Sequence, residues 1–506
     1  MLRVLGSPKT VCSGLTRRDL LEVGGVSLAG LGLEQLLAAG AGAESSARAE
    51  LSSAGQYPHF GRAKSCILLY LYGAPSQLET FDMKPHAPSE IRGTMQPIPS
   101  VLGGLDVCEH MPEIAKMTDK ITVVRSITHP YPLHGVAFAT TGIPAIDASM
   151  ELAPHDTRHY PFFGSVVQYV DTKHGGRGPS KLPQNVALPF PFSSQRTGEV
   201  HRAGPYGAFL GASYNPTWTE YHGHATRSVY KTLGANKLDC FDPYIACSND
   251  SHFRMSNTGS LPDMNVDRLD RRRSLLGQFD RQRRELETAV SGQSLSRYQE
   301  LAFSLLTSAK VGEALDVRGE AARLRERYGM TLFGQSCLAA RRMVEAGTRL
   351  VSVFWDEYGL AGDAWDTHWN HYPRMQDQLL PGFDKAFAGL VTDLDERGML
   401  DDTLVVVLSD HGRTPKINSA VGGGRDHWSQ VYSLCFAGGG MAPGKVIGAS
   451  DATAATPTDR PVSPKDILAT MYHLLGINPH GTIPDRSGRE LPIVPESAGV
   501  VGEMLA

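Results

Sequence analysis

Cysteine is scarce in this sequence, and its spacing excludes the common cysteine-based metal sites. Seven cysteines are scattered over 506 residues without a C-x-x-C pair. No zinc-finger framework is therefore expected. Cys240 and Cys247 lie in a loop-like stretch and could form a disulfide in an oxidising compartment.

The sequence also lacks a strong excess of charge and any long apolar run. A formal net charge of −4 gives no electrostatic basis for binding nucleic acid or an anionic membrane. No window approaches the ~20 consecutive apolar residues that a spanning helix requires, so no stable membrane span is predicted. The remaining composition, 41% hydrophobic and 20% charged, is that of a globular protein with one large or two medium domains.

The first 43 residues differ from the rest and have the order of an export signal. Residues 16–21 read TRRDLL, a twin-arginine pattern, and a Gly/Ala/Leu-rich stretch follows at 23–33. Small residues at 41–43 offer a cleavage site. Residues 1–43 are therefore predicted to be a twin-arginine signal peptide, which implies a periplasmic or secreted protein. A cytosolic amphipathic N-terminus is the alternative. Residues 44–62 are predicted to be a flexible leader.

From residue 63 onwards, predicted strands alternate with predicted helices. Apolar runs predict strands at 65–71, 121–125, 349–354, 403–408 and 431–436. Helices are predicted at 111–116, before Gly347, around Phe383 to Leu394, and at 464–475. This alternation predicts an α/β domain over 63–495, with a mostly parallel central sheet flanked by helices, and a tail at 496–506. Residues 176–330 are predicted to be an insertion, loop-rich at first and helical from 265 to 310.

Three carboxylate–histidine groups follow predicted strand ends, where ligands collect in open parallel sheets. They are Asp366 with His368, Asp410 with His411, and Asp426 with His427. Mixed Asp and His ligands suit zinc, manganese or iron better than calcium or magnesium. The alternative is that these side chains only make hydrogen bonds in their loops. Arg413 could hold an anionic substrate oxygen, or pair with a structural carboxylate.

Several longer segments resemble the alkaline phosphatase and sulfatase superfamily. They are SDHG after a valine-rich strand, MPEIAKMTDKITVVRSITHPYPLHGVAFATTGIPA, and PVSPKDILATMYHLLGINP followed by RSGREL. Residues 60–495 also resemble an uncharacterised family of twin-arginine-exported bacterial proteins. The motifs that carry this second resemblance are GAPSQLETFD, RSITHP, WDTH, GRTPKIN and GRDHW.

The superfamily resemblance implies a two-metal site that this chain retains only in part. Asp366, His368 and His427 match the ligands of one metal, and Asp410 with His411 matches a pair for the second. An aspartate is expected near Tyr72, and a Ser, Thr or Cys nucleophile near Pro132, but the sequence has neither. His129 and His134 stand close to the second position. They could be additional ligands or hydrogen-bonded turn residues, and His134 could act as nucleophile or acid.

The function implied by the resemblance is an exported metal-dependent hydrolase of phosphate or sulfate esters. His134 and Arg413 are the candidate catalytic residues, and zinc is the expected metal, with manganese or iron as alternatives. The expected substrate is an anionic ester such as a sulfated or phosphorylated sugar. The alternative is a non-catalytic binding protein of the same fold that has lost the nucleophile. The absent nucleophile favours this alternative, whereas the retained metal-type residues favour the enzyme.

Overall fold

The structure is a computed structural model of the chain. It describes residues 57–134, 136–143, 148–151, 153, 154, 156, 158–173, 182–193, 195, 201–233, 236–255, 309–359 and 364–506. The predicted signal peptide, residues 44–56 of the predicted leader and nearly all of the predicted helical pair at 265–310 lie outside the described residues.

The strands and helices of the described residues alternate along most of the chain. The strands are β1 (Ser65–Leu71), β2 (Pro97–Pro99), β3 (Asp106–Cys108), β4 (Ile121–Ile127), β5 (Asn185–Leu188), β6 (Thr217–His222), β7 (Ser228–Leu233), β8 (Asn236–Phe241), β9 (His252–Met255), β10 (Leu350–Trp355), β11 (Thr403–Ser409), β12 (Gly412–Arg413), β13 (His427–Trp428), β14 (Tyr432–Ala437), β15 (Lys445–Ile447), β16 (Ala449–Ser450), β17 (Pro457–Asp459), β18 (Thr482–Pro484) and β19 (Glu490–Pro492). The α-helices are α1 (Ser89–Arg92), α2 (Pro112–Ala115), α3 (Val136–Thr141), α4 (Phe163–Lys173), α5 (Ala309–Leu315), α6 (Ala322–Tyr328), α7 (Leu332–Ala346), α8 (His371–Arg374), α9 (Leu380–Glu396) and α10 (Pro464–Leu474).

Three buried parallel strands form the centre of the main sheet. β1 pairs in parallel with β10 on one side and with β11 on the other. Every residue of these three strands is buried. A strand covered on both faces needs an unbroken apolar sequence, which SCILLYL and TLVVVLS largely provide. This explains why apolar runs alone predicted β1 and β11 to within one residue.

The main sheet has nine strands in the order β15-β4-β14-β11-β1-β10-β5-β6-β9. Five neighbouring pairs are parallel, namely β15–β4, β11–β1, β1–β10, β10–β5 and β5–β6. The pairs β14–β4, β11–β14 and β6–β9 are antiparallel. The predicted α/β fold, with a mostly parallel central sheet flanked by helices, is confirmed.

Local signals explain where the long helices begin and end. The Thr331 side chain accepts a hydrogen bond from the Gly334 N–H at the start of α7. Gly347 ends this helix in the left-handed region at φ 113°. α7 packs on β10 and β1, and α9 packs on α7. At the start of α10, Ser463 and Asp466 form a reciprocal capping box.

One sequence-based prediction about the middle of the chain needs correction. β5, β6 and β9 lie within residues 176–330, which were assigned to an insertion, yet they belong to the main sheet. Their short, irregularly spaced sequences lack the long apolar run that marks a central strand. Cys247 is a free, buried thiol, and the side chain of Cys240 lies outside the described part of the structure. None of the helices in the described part of the chain has the length and apolarity that crossing a bilayer requires.

The topology brings several loops to one edge of the sheet. The loops after β1, β4, β10 and β11 all leave the carboxyl ends of strands that point the same way. β14 runs in the opposite direction, so the segment that precedes it also reaches this edge. The carboxyl edge of the sheet therefore gathers segments that are far apart in sequence, as open α/β sheets do at ligand sites.

Candidate metal centre

Four histidines from four segments meet at the carboxyl edge of the sheet. His134 follows β4, His368 lies in the segment after β10, His411 follows β11, and His427 begins β13. The ring of His427 has its centroid 4.4 Å from those of His134 and His411 and 4.8 Å from that of His368. The site residues predicted beside three separate strands are thus brought together.

Each of the four imidazoles has its Nδ1 directed at an oxygen acceptor. Nδ1 lies 3.0 Å from Asp410 Oδ2 in His134, 2.7 Å from Asp426 Oδ1 in His368, 2.8 Å from the Gly412 carbonyl in His411, and 3.2 Å from the Pro132 carbonyl in His427. An acceptor oxygen fixes the proton on Nδ1 and leaves a lone pair on Nε2 of the neutral ring. This is the arrangement found in metal-ligating histidines, whose second nitrogen donates to a carboxylate or carbonyl.

Nε2 of three of these rings lies close to the carboxylate of Asp366. Nε2 of His368 lies 3.0 Å from Asp366 Oδ1, and Nε2 of His427 lies 3.3 Å from the same oxygen. Nε2 of His134 lies 3.4 Å from Oδ2. The two Nε2 atoms of His368 and His427 are themselves 3.0 Å apart. Since lone pairs at these separations repel one another, a proton or a metal ion must lie between them.

Two overlapping groups among the described residues have ligand atoms close enough to bind one ion. His134, His411 and His427 form the first, and Asp366, His368 and His427 form the second. In each group the ligand atoms all lie within 4.8 Å of one another. His411 adds an independent indication, because its Nε2 is buried and has no hydrogen-bond partner among the described residues. A buried polar atom without a partner is costly unless something binds it.

The protonation of the four rings differs because their surroundings differ. Burial lowers the pKa of His411 well below its ordinary value, and it also lowers the pKa of His427. The pKa of His368 is raised by its hydrogen bond to Asp366. Burial alone would lower the pKa of His134, but hydrogen bonds and charges from Asp366 and Asp410 raise it to about 10. His411 and His427 are thus neutral and suited to bind a metal at pH 7.

Asp410 orients its neighbours in this structure. Its Oδ1 accepts a hydrogen bond from the Tyr70 hydroxyl, and its Oδ2 accepts from the Gly73 N–H at 3.0 Å and from His134. Neither of the two ligand groups includes Asp410. The expectation that Asp410 binds a metal directly stays a prediction, while its contact with His134 is a carboxylate–histidine pair of the kind that fixes a ligand ring.

Arg413 is fully buried, and its guanidinium forms an ion pair with the Asp366 carboxylate. It donates to the carbonyls of Gly73, Ala74 and Arg425 as well as to Asp366. Burial would raise the pKa of Asp366, but the charge of Arg413 and the three histidine contacts hold it well below the usual range. The role of Arg413 as a direct holder of a substrate anion stays a prediction, alongside the alternative that it pairs with a structural carboxylate.

Other residues occupy the two positions where the superfamily resemblance expects functional groups. Tyr72, at the place of the missing aspartate, stacks its ring on His134 at a centroid distance of 4.9 Å. Pro132, at the place of the nucleophile, turns its carbonyl to His427. His129 uses both ring nitrogens, one on the Asp410 carbonyl and one on the Tyr131 N–H, and is a hydrogen-bonded turn residue.

Sequence reasoning missed the partners that fix the ligand rings. Asp426 was grouped with its neighbour His427, but its carboxylate contacts His368, 58 positions earlier. The adjacency of Asp426 and His427 carried no signal for this contact, because Asp426 lies in the loop before β13 and its side chain is directed to a different segment. Tyr70 was assigned to the core strand, where it is buried, yet its hydroxyl reaches Asp410.

The fold and the site together define an α/β protein with a histidine-rich candidate metal centre at the carboxyl edge of its sheet. The chain belongs to the family described as "Protein of unknown function (DUF1501)", whose model matches residues 63–505. The expected membership of a family without assigned biochemistry is thereby confirmed. No curated protein sequence matches the chain.

Several solved structures resemble the chain at low sequence identity. They include the PsFucS1 sulfatase from Pseudoalteromonas sp. (13% identity, 92% of this chain, 76% of that chain, TM-score 0.39). Ps i-CgsB in complex with k-i-k-neocarrahexaose (12%, 82%, 72%, TM-score 0.36) is another. The phosphonate monoester hydrolase SpPMH from Silicibacter pomeroyi (10%, 82%, 74%, TM-score 0.31) is a third. At these TM-scores the similarities assign no activity, and the function must be argued from the site.

Proposed function

We propose that this protein is an exported, metal-dependent hydrolase of phosphate or sulfate esters, similar to the sulfatases. The observation that carries the proposal is the convergence of three histidine Nε2 atoms on Asp366, with His411 beside His134 and His427, each of the four rings being fixed through Nδ1 by an oxygen acceptor. The export part of the proposal is supported by the twin-arginine pattern at residues 16–21.

The donor set fits a divalent transition metal. Asp366, His368 and His427 would hold one ion, and His411 with His134 would complete a second position that shares His427. Imidazole with carboxylate is the ligand set of zinc, with manganese or iron as alternatives, and it is unsuited to calcium. When bound, the metal would supply Lewis acidity that polarises the oxygens of an ester.

The side chains around the candidate metal centre prepare it for an anionic ester. Asp410 holds the proton on Nδ1 of His134, which keeps Nε2 directed at the centre. The stacked ring of Tyr72 fixes the plane of that imidazole. Arg413 anchors Asp366 from behind and ties it to the backbone of Gly73. The proposed substrate is a sulfated or phosphorylated sugar. When only the position of Asp366, His368 and His427 holds an ion, Nε2 of His134 is free, and His134 is then the proposed residue that exchanges a proton with the substrate.

A second candidate function is a non-catalytic binding protein that keeps the metal centre. The observation that favours it is Pro132, which stands where the resemblance expects a nucleophile and whose carbonyl is engaged by His427. A covalent mechanism requires a nucleophilic side chain at that place. Metal binding without hydrolysis would therefore select the second candidate.

Metal analysis followed by an ester screen tests the proposal. Purified protein is expected to carry zinc, manganese or iron in near-stoichiometric amount and to hydrolyse p-nitrophenyl phosphate, bis-p-nitrophenyl phosphate or p-nitrophenyl sulfate. The variants His427→Ala and His368→Ala are expected to lose most of the metal and about 100-fold or more in rate. The exposed His224→Ala is the matched control and should change neither.

Wild-type protein without a bound transition metal would refute both candidate functions. Hydrolysis that survives in both variants would refute the assignment of the site while leaving the activity in place. A bound metal without turnover of any of the three esters would support the second candidate function, a non-catalytic binding protein.

A further inference from the structure

A second cavity lies outside the candidate metal centre. It has a volume of about 430 Å³ and is bounded by three segments, 154–160, 206–215 and the β18–β19 hairpin. This volume falls in the range of ~300–1,000 Å³ that small-molecule sites occupy. None of the four histidines or Asp366 lines it. The cavity is therefore separate from the candidate metal centre.

Aromatic rings form the apolar part of the cavity. Tyr160 and Phe209 meet edge to face at a centroid distance of 5.4 Å, and both rings are half-buried. Tyr206 lies at the cavity in a more buried position, with Leu491 opposite the loops. Half-exposed rings held in place by each other present flat faces to a ligand, on which the C–H face of a sugar ring can stack.

The charged side chains of the cavity differ in how many partners they have within the protein. Arg158 is bound to Asp156 through two nitrogens, and the Asp485 carboxylate accepts from Ser487 and the Arg489 N–H. Arg486 is exposed, and its guanidinium makes one long contact, 3.4 Å to the Ala208 carbonyl. No carboxylate of the described residues lies within ion-pair distance of it. Arg486 therefore offers donors and a positive charge to an anionic group beside the aromatic rings.

Residues adjacent to the segments that bound the cavity contact the wall of the candidate metal centre. Glu151 accepts a hydrogen bond from the Tyr72 hydroxyl at 3.1 Å, and the ring of Tyr72 stacks on His134. The Glu151 carbonyl in turn accepts from the Ala203 N–H, and the Tyr206 carbonyl accepts from the Phe162 N–H. The loop that leads to Tyr206 is therefore connected by hydrogen bonds to the wall of the candidate metal centre.

We propose that this cavity binds an acidic sugar unit of an oligosaccharide, with the ring stacked on Phe209 and Tyr160 and its sulfate or carboxylate held by Arg486. The combination of flat apolar faces, hydrogen-bonding groups and one available cation matches an acidic sugar. A purely apolar ligand would leave Arg486 without a partner. The inference rests on the proposed function in one respect, namely that the substrate is a saccharide.

Affinity electrophoresis tests the cavity independently of catalysis. The purified protein is run through gels that contain carrageenan, polygalacturonate or dextran, so that a sulfated, a carboxylated and a neutral polysaccharide are compared. Wild-type protein is expected to be retarded by at least one acidic polysaccharide and not by dextran. Phe209→Ala and Arg486→Gln are each expected to weaken retardation about tenfold, equivalent to ~1.4 kcal/mol. Phe241→Ala, which removes an exposed ring elsewhere, is the matched control.

The metal-centre variant His427→Ala separates the two proposals, because it should still be retarded. Retardation of wild type without ester hydrolysis would remove the proposed function and leave the cavity assignment standing. Absence of retardation on both acidic gels would overturn the assignment, and so would cavity variants that migrate like wild type. Equal retardation by dextran would overturn the acidic-sugar class. Thermal melting of each variant shows whether a loss of binding reflects unfolding, and Tyr160→Phe, which keeps the ring, should keep the binding.

Discussion

At the scale of single residues, the candidate metal centre depends on a glycine that touches two of its aspartates, Asp366 and Asp410. Gly73 has φ +95°, its N–H donates to Asp410, and its backbone lies against Asp366. A Cβ at this position would lie 2.3 Å from the Asp366 nitrogen. The turn after β1 therefore accepts only a residue without a side chain, for reasons of both conformation and space.

The substitution Gly73→Ala should disassemble the metal centre. The left-handed backbone alone is expected to destabilise the fold by ~1–3 kcal/mol, and the clash adds a displacement of Asp366. Loss of most bound metal should appear in elemental analysis, together with a lower Tm. Gly103→Ala is the control, because nothing lies within 4 Å of the added methyl. Full metal content in Gly73→Ala would contradict the described geometry.

His134 also makes a prediction at the residue scale, through its raised pKa. In the metal-free protein, protonated His134 stabilises the fold fully below its ordinary pKa of 6.5, and this contribution is lost as pH rises towards about 10. A metal must displace that proton to bind Nε2, so metal affinity should increase with pH.

Calorimetry can count the proton that His134 gives up. Zn²⁺ titrated into metal-free protein at pH 7, in buffers of different ionisation enthalpy, should release about one proton fewer in His134→Gln than in wild type. His224→Gln should match wild type. An unchanged proton count in His134→Gln would mean that His134 does not bind the ion.

At the scale of elements, a buried ion cluster fastens the loops of the centre to one another. Glu79, in the turn after β1, accepts from Arg425 at 2.6 Å and lies 3.2 Å from Nε2 of His371 in α8. All three side chains are buried. Arg425 precedes His427 by two positions, so the cluster links the β1 turn, α8 and the segment that carries a metal-type histidine. Such a cluster adds little stability compared with well-packed apolar residues in its place. Removing one of its charged partners is nevertheless costly, because the other charge is left buried and unpaired.

Glu79→Gln should destabilise the fold by ~3–5 kcal/mol at pH 7, because it leaves Arg425 buried without its charge partner. Burial alone would raise the pKa of Glu79, but Arg425 and His371 lower it to about 2. The stability that ionised Glu79 contributes is therefore fully present above pH 4.5 and is lost as the pH falls towards 2. Urea unfolding should show a smaller difference in the free energy of unfolding between variant and wild type at pH 3 than at pH 7. Glu113→Gln, which breaks an exposed pair with Lys116, should leave the free energy of unfolding nearly unchanged.

At the scale of the whole molecule, the sequence predicts the fold best where one local pattern decides the structure. Buried parallel strands require apolar runs, so β1 and β11 were predictable from the apolar runs in the sequence. β5, β6 and β9 were missed because their sequences carry no such run, although neighbours recruit them into the sheet. Strand direction was not predictable either. Nothing local distinguishes the antiparallel β14 from the parallel strands beside it.

The candidate site shows the same limit. Strand-end positions were sufficient to select Asp366, His368, His411 and His427, because the carboxyl edge of a sheet collects loop residues. The partners of those residues were not predictable. Asp426 contacts His368 rather than its neighbour, and Tyr70 reaches Asp410 from inside a core strand. These contacts depend on how distant loops are packed, which no spacing in the sequence encodes.

The wide separation of the four histidines along the chain has a further consequence. His134 and His427 are about 290 residues apart, yet their rings lie 4.4 Å from each other. An ion bound between them would act as a cross-link that closes a very long loop, and closing long loops removes the most entropy from the unfolded chain. Metal loading would then stabilise the folded chain, and the metal-free protein would unfold more readily than the loaded one.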